Sequence, residues 1–350
     1  MSGELTGEYI LTEEDKALLS TVVEVPELIT NQERLELESD IVTLGALRKA
    51  EVDLVAYLEQ RDTLSLDAKE IWNTRLQTHF VDLPLEMRKD KKGLLEKIKV
   101  GSRKLYEKIM KMIQKIVNGF VLFFTGREST LVKKVQLAEE INTFDPSAEF
   151  TITPKMRLLS VDEGRDYVKA NTVIEALGNS DVIKEILDIF VKENPVEGLD
   201  KIFTGNILDN SFPSVVRNAN SRICGLHKDA DQKYYFNWDP IRKEGAVNLD
   251  FSKKLVGGKQ TVYPLSDVQQ ILRAAYETSV AVRDIDVSIL EGSIAASKTI
   301  GGDEMEKAAR FTYSVVMHVT NYYMTLAQHA ENLCSACLHA GKKLDKKEGK

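Results

Sequence analysis

Leu94, Leu95, Ile98, Leu105, Ile109, Met112, Ile113, Ile116, Val117, Phe120, Phe123 and Phe124 recur at steps of three and four residues. Lys104, Lys108, Lys111 and Lys115 fall on the opposite side of the same wheel. This pattern predicts one amphipathic helix over 94–124, roughly 45 Å long at 1.5 Å per residue. Gly126 permits a break, and a further helix is expected from Glu128 to Ile141. Upstream, Thr12 followed by Asp15 predicts a helix start, with Leu18, Leu19, Val22 and Val23 behind it and Pro26 as its stop. Leu35, Ile41, Leu44, Leu47, Val52, Val55 and Leu58 keep largely to helical spacing and predict a helix from Asn31 to about Gln60. Ser65 is placed to cap a shorter helix containing Ile71, Trp72 and Leu76, closed by Pro84.

The second half is less regular. AEFTIT, between Pro146 and Pro154, reads as extended, and helices are expected at about 163–177 and 179–193. Residues 195–262 are rich in turn formers and clustered aromatics. There Tyr234, Tyr235, Phe236 and Trp238 read as a strand, as do Ala246–Phe251 and Thr261–Tyr263. Ser266 and Gln269 form a capping-box pattern for a helix reaching about Leu290, and Glu304 to His339 predicts another long helix. The fold class that follows is mainly α: long amphipathic helices in a bundle, with a small irregular or β lobe around residues 195–263. In linear order these are an acidic segment 1–30, a helical region 31–145, a mixed region 146–263, a helical hairpin 264–340 and a charged tail 341–350. No heptad repeat is sustained, which favours a bundle over a long coiled coil.

Composition narrows the class further. With 43% apolar and 29% charged residues, the 350-residue chain can bury a sizeable core and is neither fibrous nor wholly disordered. No uninterrupted apolar run approaches the roughly 20 residues of a membrane span, and MSGELTGEYI lacks the pattern of a secretory signal. Three cysteines cannot pair completely, which fits a reducing compartment. The net charge of −7 speaks against general nucleic-acid binding.

That charge is uneven. Residues 1–40 hold eleven acidic and two basic side chains, a balance of −9. Residues 88–115 hold eleven basic and three acidic ones, a balance of +8. The two regions should attract each other, within one copy or between copies. Lys104, Lys108, Lys111 and Lys115 are accordingly the candidate face for self-association or for an anionic surface.

Catalytic chemistry is hard to assemble from the remaining motifs. Cys334, Cys337 and His339 lack the second ligand pair of a zinc knuckle, and both thiols share a helical face with Leu326, Leu333 and Leu338. His318 and His329 have no acidic residue placed as in a zinc-protease helix. Cys224 and His227 are only three residues apart in an irregular segment, weak grounds for a nucleophile and its base. Gly257–Gly258–Lys259 resembles a fragment of a phosphate loop, but the motif is incomplete and a turn is the better reading. No catalytic residue, cofactor or metal ligand is assigned.

The order of segments resembles the internal head proteins of large tailed bacteriophages, which are packed in the prohead core or inner body. The resemblance is carried by an acidic N-terminal segment followed by the helical pair IVTLGALRKAEVDLVAYLEQRDTLSLDAKEIWNTRL. It continues through the basic helix KLYEKIMKMIQKIVNGFVLFFTGRESTLVKKVQLAEEI, the turn Leu255–Val256–Gly257–Gly258–Lys259, and the helices YPLSDVQQILRAAYETSV and FTYSVVMHVTNYYMTLAQHAENLCSACLHA. It spans most of residues 30–340 in pattern rather than identity. It implies a non-enzymatic virion protein in the capsid interior, present in the host cytoplasm during assembly and a candidate for ejection with the DNA. Its partners would be other head and core proteins or further copies of itself, with weak or no direct DNA binding. Prohead proteases cut such proteins after a small or aliphatic residue, any residue, then Glu, which points to Leu11–Thr12–Glu13 and cleavage after Glu13. Two rival readings use the same residues: a membrane-active ejection protein that inserts helix 94–124, and a cytosolic helical adaptor or enzyme with a pocket in 195–263.

Overall fold

The computed structural model describes residues 11–60, 62–79, 91–156, 257–288 and 303–342. Between these it describes 160–161, 166–167, 170–178, 180, 183–184, 186–188, 226–228, 234–236 and 290. The fold is mainly α, helix accounting for 76% of the described residues. In chain order the elements are α1 (Glu13–Ser20), α2 (Asn31–Gln60), α3 (Leu66–His79), α4 (Lys91–Thr125), α5 (Glu128–Glu140), β1 (Glu149–Thr151), β2 (Ser160–Val161), β3 (Asp166–Tyr167), α6 (Ala170–Gly178), β4 (Leu226–Lys228), β5 (Tyr234–Phe236), β6 (Lys259–Thr261), α7 (Leu265–Arg283) and α8 (Asp303–Gly341).

The chain forms two compact units. One comprises Met1–Leu28, Ile116–Val287 and Ser314–Lys350; the other comprises Ile29–Lys115 and Ser288–Tyr313.

In the first unit α8 is the core element. From Tyr322 to Leu338 it is buried on nearly every side, Thr325 and Ala336 being half-buried. A helix covered all round must be enclosed by other elements. In the same unit α7 packs on α5 and α6, and α1 packs on α5. The segment after α1 is pinned to α8 through its main chain: Gln328 donates to the Val23 carbonyl at 2.7 Å, and the Val23 amide donates to Asn332 Oδ1 at 3.2 Å. Among the described residues the strands form three two-stranded antiparallel pairs, β1–β6, β2–β3 and β4–β5, with Phe150 opposite Gln260 in the first. Gly257 precedes β6 with φ at +92°, a conformation side chains resist, and its amide donates to the Ile152 carbonyl at 3.0 Å.

In the second unit, α2 and α3 pack as a pair, with the Tyr57 and Trp72 rings 6.3 Å apart. The capping box Thr30–Glu33 starts α2: the Glu33 amide donates to Thr30 Oγ1 at 3.2 Å, and the Thr30 amide donates to Glu33 Oε2 at 2.9 Å. Ser65 accepts from the Ala68 amide at 3.3 Å at the start of α3.

Several expectations change. α1 starts in the Thr12–Asp15 capping box but stops at Ser20, six residues before Pro26. Thr21 is extended there, and α8 takes the main-chain groups of Val23. The helix expected at 163–177 begins only at Ala170, because Asp166–Tyr167 pairs with Ser160–Val161. Strand β6 lies two residues earlier than Thr261–Tyr263. The Val262 amide still reaches the Ala148 carbonyl at 3.0 Å, but Pro264 has no amide to extend the ladder. The Ser266–Gln269 box is not made. Pro264 is the N-cap of α7, and Gln269 instead donates to the Ala138 carbonyl of α5 at 2.8 Å. α7 ends at Arg283, short of Leu290. The expected features at Pro84, Cys224, Trp238 and Ala246–Phe251, and most of the 195–263 lobe, lie outside the described residues.

Candidate interface on α4 and a buried charge cluster

The apolar stripe of α4 is buried as its spacing predicts, Ile109, Ile113, Ile116, Val117 and Phe120 being fully inaccessible. Its basic face divides in two. Lys108 Nζ lies 2.6 Å from Asp40 Oδ2 and 3.8 Å from Glu36 Oε2, and Lys115 Nζ lies 2.7 and 2.8 Å from the two Glu33 oxygens. Lys104 and Lys111 face solvent, as does Lys97 one heptad earlier. The attraction between the acidic and basic regions thus operates within one copy, through carboxylates of α2. The acidic side chains nearer the N-terminus have other partners: Glu13 pairs with Lys16 at 2.6 Å, and Glu24 pairs with Lys155.

Glu33 serves two elements at once. Its hydrogen bonds from Lys115, then those from the Thr30 amide and hydroxyl, lower its pKa from 4.5 to about 2. It caps α2 and clamps α4 with one carboxylate. Glu13, the proposed cleavage residue, is the first residue of α1, inside the turn closed by the Thr12–Asp15 box. Cutting after it requires that turn to open.

A second polar constellation lies in the interior of the first unit. Lys134 Nζ on α5 donates to Glu331 Oε1 and to Ser335 Oγ of α8, each at 2.9 Å, and the Lys134 and Glu331 side chains are almost wholly buried. Arg127 also pairs with Glu331, and its guanidinium lies 4.5 Å from the centroid of the Phe123 ring. Burial alone would raise the Glu331 pKa. The opposing charges and hydrogen bonds of Arg127 and Lys134 outweigh it and hold the carboxyl below its ordinary value. In such a cluster desolvation offsets much of the attraction, while removing one partner leaves a buried charge uncompensated.

Cys334 and Cys337 are buried in the same helix, as expected for core thiols. Burial pushes Cys334 well above the ordinary thiol range and Cys337 up to about 12, so neither is a thiolate at neutral pH. His329 is buried in α8, while His227 is in β4. Among the described residues, no three His, Cys, Asp or Glu side chains converge as metal ligands.

The buried cluster is the feature the periodicity reading missed. Its signal was present: Lys134 falls between Leu131 and Leu137 on the buried side of α5, and Glu331 falls between Ala327 and Cys334 on α8. Opposite charges on the apolar faces of two helices point to a buried pair.

By length and composition, the continuous stretch Leu95–Glu140 contains one segment apolar enough to cross a membrane, half of it buried inside the protein. Isolated polar residues interrupt every apolar run there. Comparison of the chain with protein-family models, curated proteins and solved structures found no match.

Proposed function

We propose that this chain is a non-enzymatic structural protein that acts by packing, an internal head component carried inside a phage capsid. The location is what the resemblance in segment order implies. The observation that carries the packing role is the division of the α4 basic face. Lys108 and Lys115 are satisfied within the chain, whereas Lys97, Lys104 and Lys111 form an exposed row at seven-residue intervals, about 10 Å apart along a long helix. A cationic row of this kind suits an acidic face on a neighbouring core protein, and the −7 net charge of the chain disfavours tight DNA binding. Peptide mass spectrometry of purified particles, with native N-termini mapped, tests the reading. Abundant peptides from residues 30–340 and a new terminus at Glu14 are expected. Absence from particles combined with abundance in infected-cell lysate would overturn it.

A second reading, a membrane-active ejection protein, draws on the apolar character of Leu95–Glu140 and on Leu122, which is 70% exposed. The α4 stripe would first have to leave its buried position. Flotation with anionic liposomes that persists at high salt separates the two, since the exposed lysine row of a packed helix binds them only electrostatically and is screened off.

A further inference from the structure

Helical spacing places Leu35, Leu44 and Val52 in one pattern, but the structure divides the apolar residues of α2 between two faces. Leu37, Leu44, Ala50 and Leu54 are buried. Leu35, Val42 and Val52 are 57, 70 and 67% exposed. The exposed three lie on a single line when joined with Glu38, Gly45 and Lys49. The order Leu35, Glu38, Val42, Gly45, Lys49, Val52 alternates steps of three and four, the a/d seam of a coiled coil. Gly45 and Lys49 are exposed, and a Cβ built on Gly45 meets nothing within 4 Å.

We propose that this seam is the interface for a second copy of the chain, paired antiparallel through α2 about a two-fold axis. The inference does not rest on the function proposed above. The argument is self-complementarity. In an antiparallel pair, each a residue faces a d residue of the partner helix, and an isologous interface must satisfy one register throughout. A centre between Thr43 and Leu44 sets Leu35 opposite Val52 of the second copy and Val42 opposite its Gly45. It also sets Glu38 opposite its Lys49. All three layers share that register, and symmetry makes each twice. The apolar layers lie at the centre and both ends of a seam about 26 Å long, with opposite charges in the layers between. The parallel alternative stacks Glu38 on Glu38 and Lys49 on Lys49, so charge selects the antiparallel arrangement. Glycine in the central layer lets the two backbones approach closely.

Sedimentation equilibrium of the full chain is the first measurement. A concentration-dependent dimer is expected. Glu38→Lys or Lys49→Glu alone should weaken it at least tenfold, and E38K/K49E together should restore it. Gly45→Lys guards against misfolding as the cause of any loss: the position is open in the single copy and lysine is the better helix former, so thermal stability should hold or rise while dimer is lost. Direction is read by cross-linking. Residues 35 and 52 are about 26 Å apart within one helix, too far for an intramolecular disulfide. L35C/V52C should therefore form a covalent dimer under oxidation, and neither single variant should. A chain that stays monomeric at every concentration would overturn the proposal. So would charge variants without effect, or a covalent dimer from L35C alone.

Discussion

Lys134 and Glu331 occupy positions that the periodicity of their helices would assign to apolar side chains. Lys134→Met should cost about 3–5 kcal/mol, because it leaves the buried Glu331 carboxylate short of a partner. Adding Glu331→Leu should recover much of that loss, and urea midpoints of the single and double variants provide the check. Glu33 gives a pH signature. Its folded pKa of about 2 lies below the ordinary 4.5, so its contribution is fully present above pH 4.5 and lost as pH falls toward 2. Melting temperatures of the parent and Glu33→Gln should therefore converge across that window. The raised pKa values of Cys334 and Cys337 have a simpler consequence: both should resist a thiol reagent in the folded chain and react once it is denatured, as peptide mapping after labelling would reveal.

At the scale of elements, helices with long unbroken periodicity were legible. The bounds of α2 match their expectation, and α4, α5 and α8 differ from theirs by at most three residues. Each has a repeated apolar spacing and no internal proline, so local pattern and tertiary packing agree. The failures share a cause. At α7 the expected cap residue Gln269 was used for a contact with α5, and at α1 side chains from α8 took the backbone that another helical turn would have used. Short-range rules cannot register a partner more than a hundred residues away. Burial also separates apolar residues within the periodic helices. Ile113→Ala should cost about 2–5 kcal/mol, whereas Val42→Ala should stay within about 0.5 kcal/mol at concentrations too low for dimer. Thermal melts of the two variants test the contrast.

At the scale of the whole molecule, the amino-acid order was sufficient for the mainly α class, the basic face of α4 and the burial of the thiols. Each follows from side chains repeating at the helical period or from the apolar company they keep. Only the tertiary structure decided which lysines are neutralised, because Glu33, Glu36 and Asp40 reach Lys108 and Lys115 across some 70 to 80 residues of chain. It alone joined Lys134 to Glu331, and it alone left Leu35, Val42 and Val52 outside the core. Periodicity specifies that a helix has an apolar side; which part of that side meets another element depends on where the rest of the chain folds back.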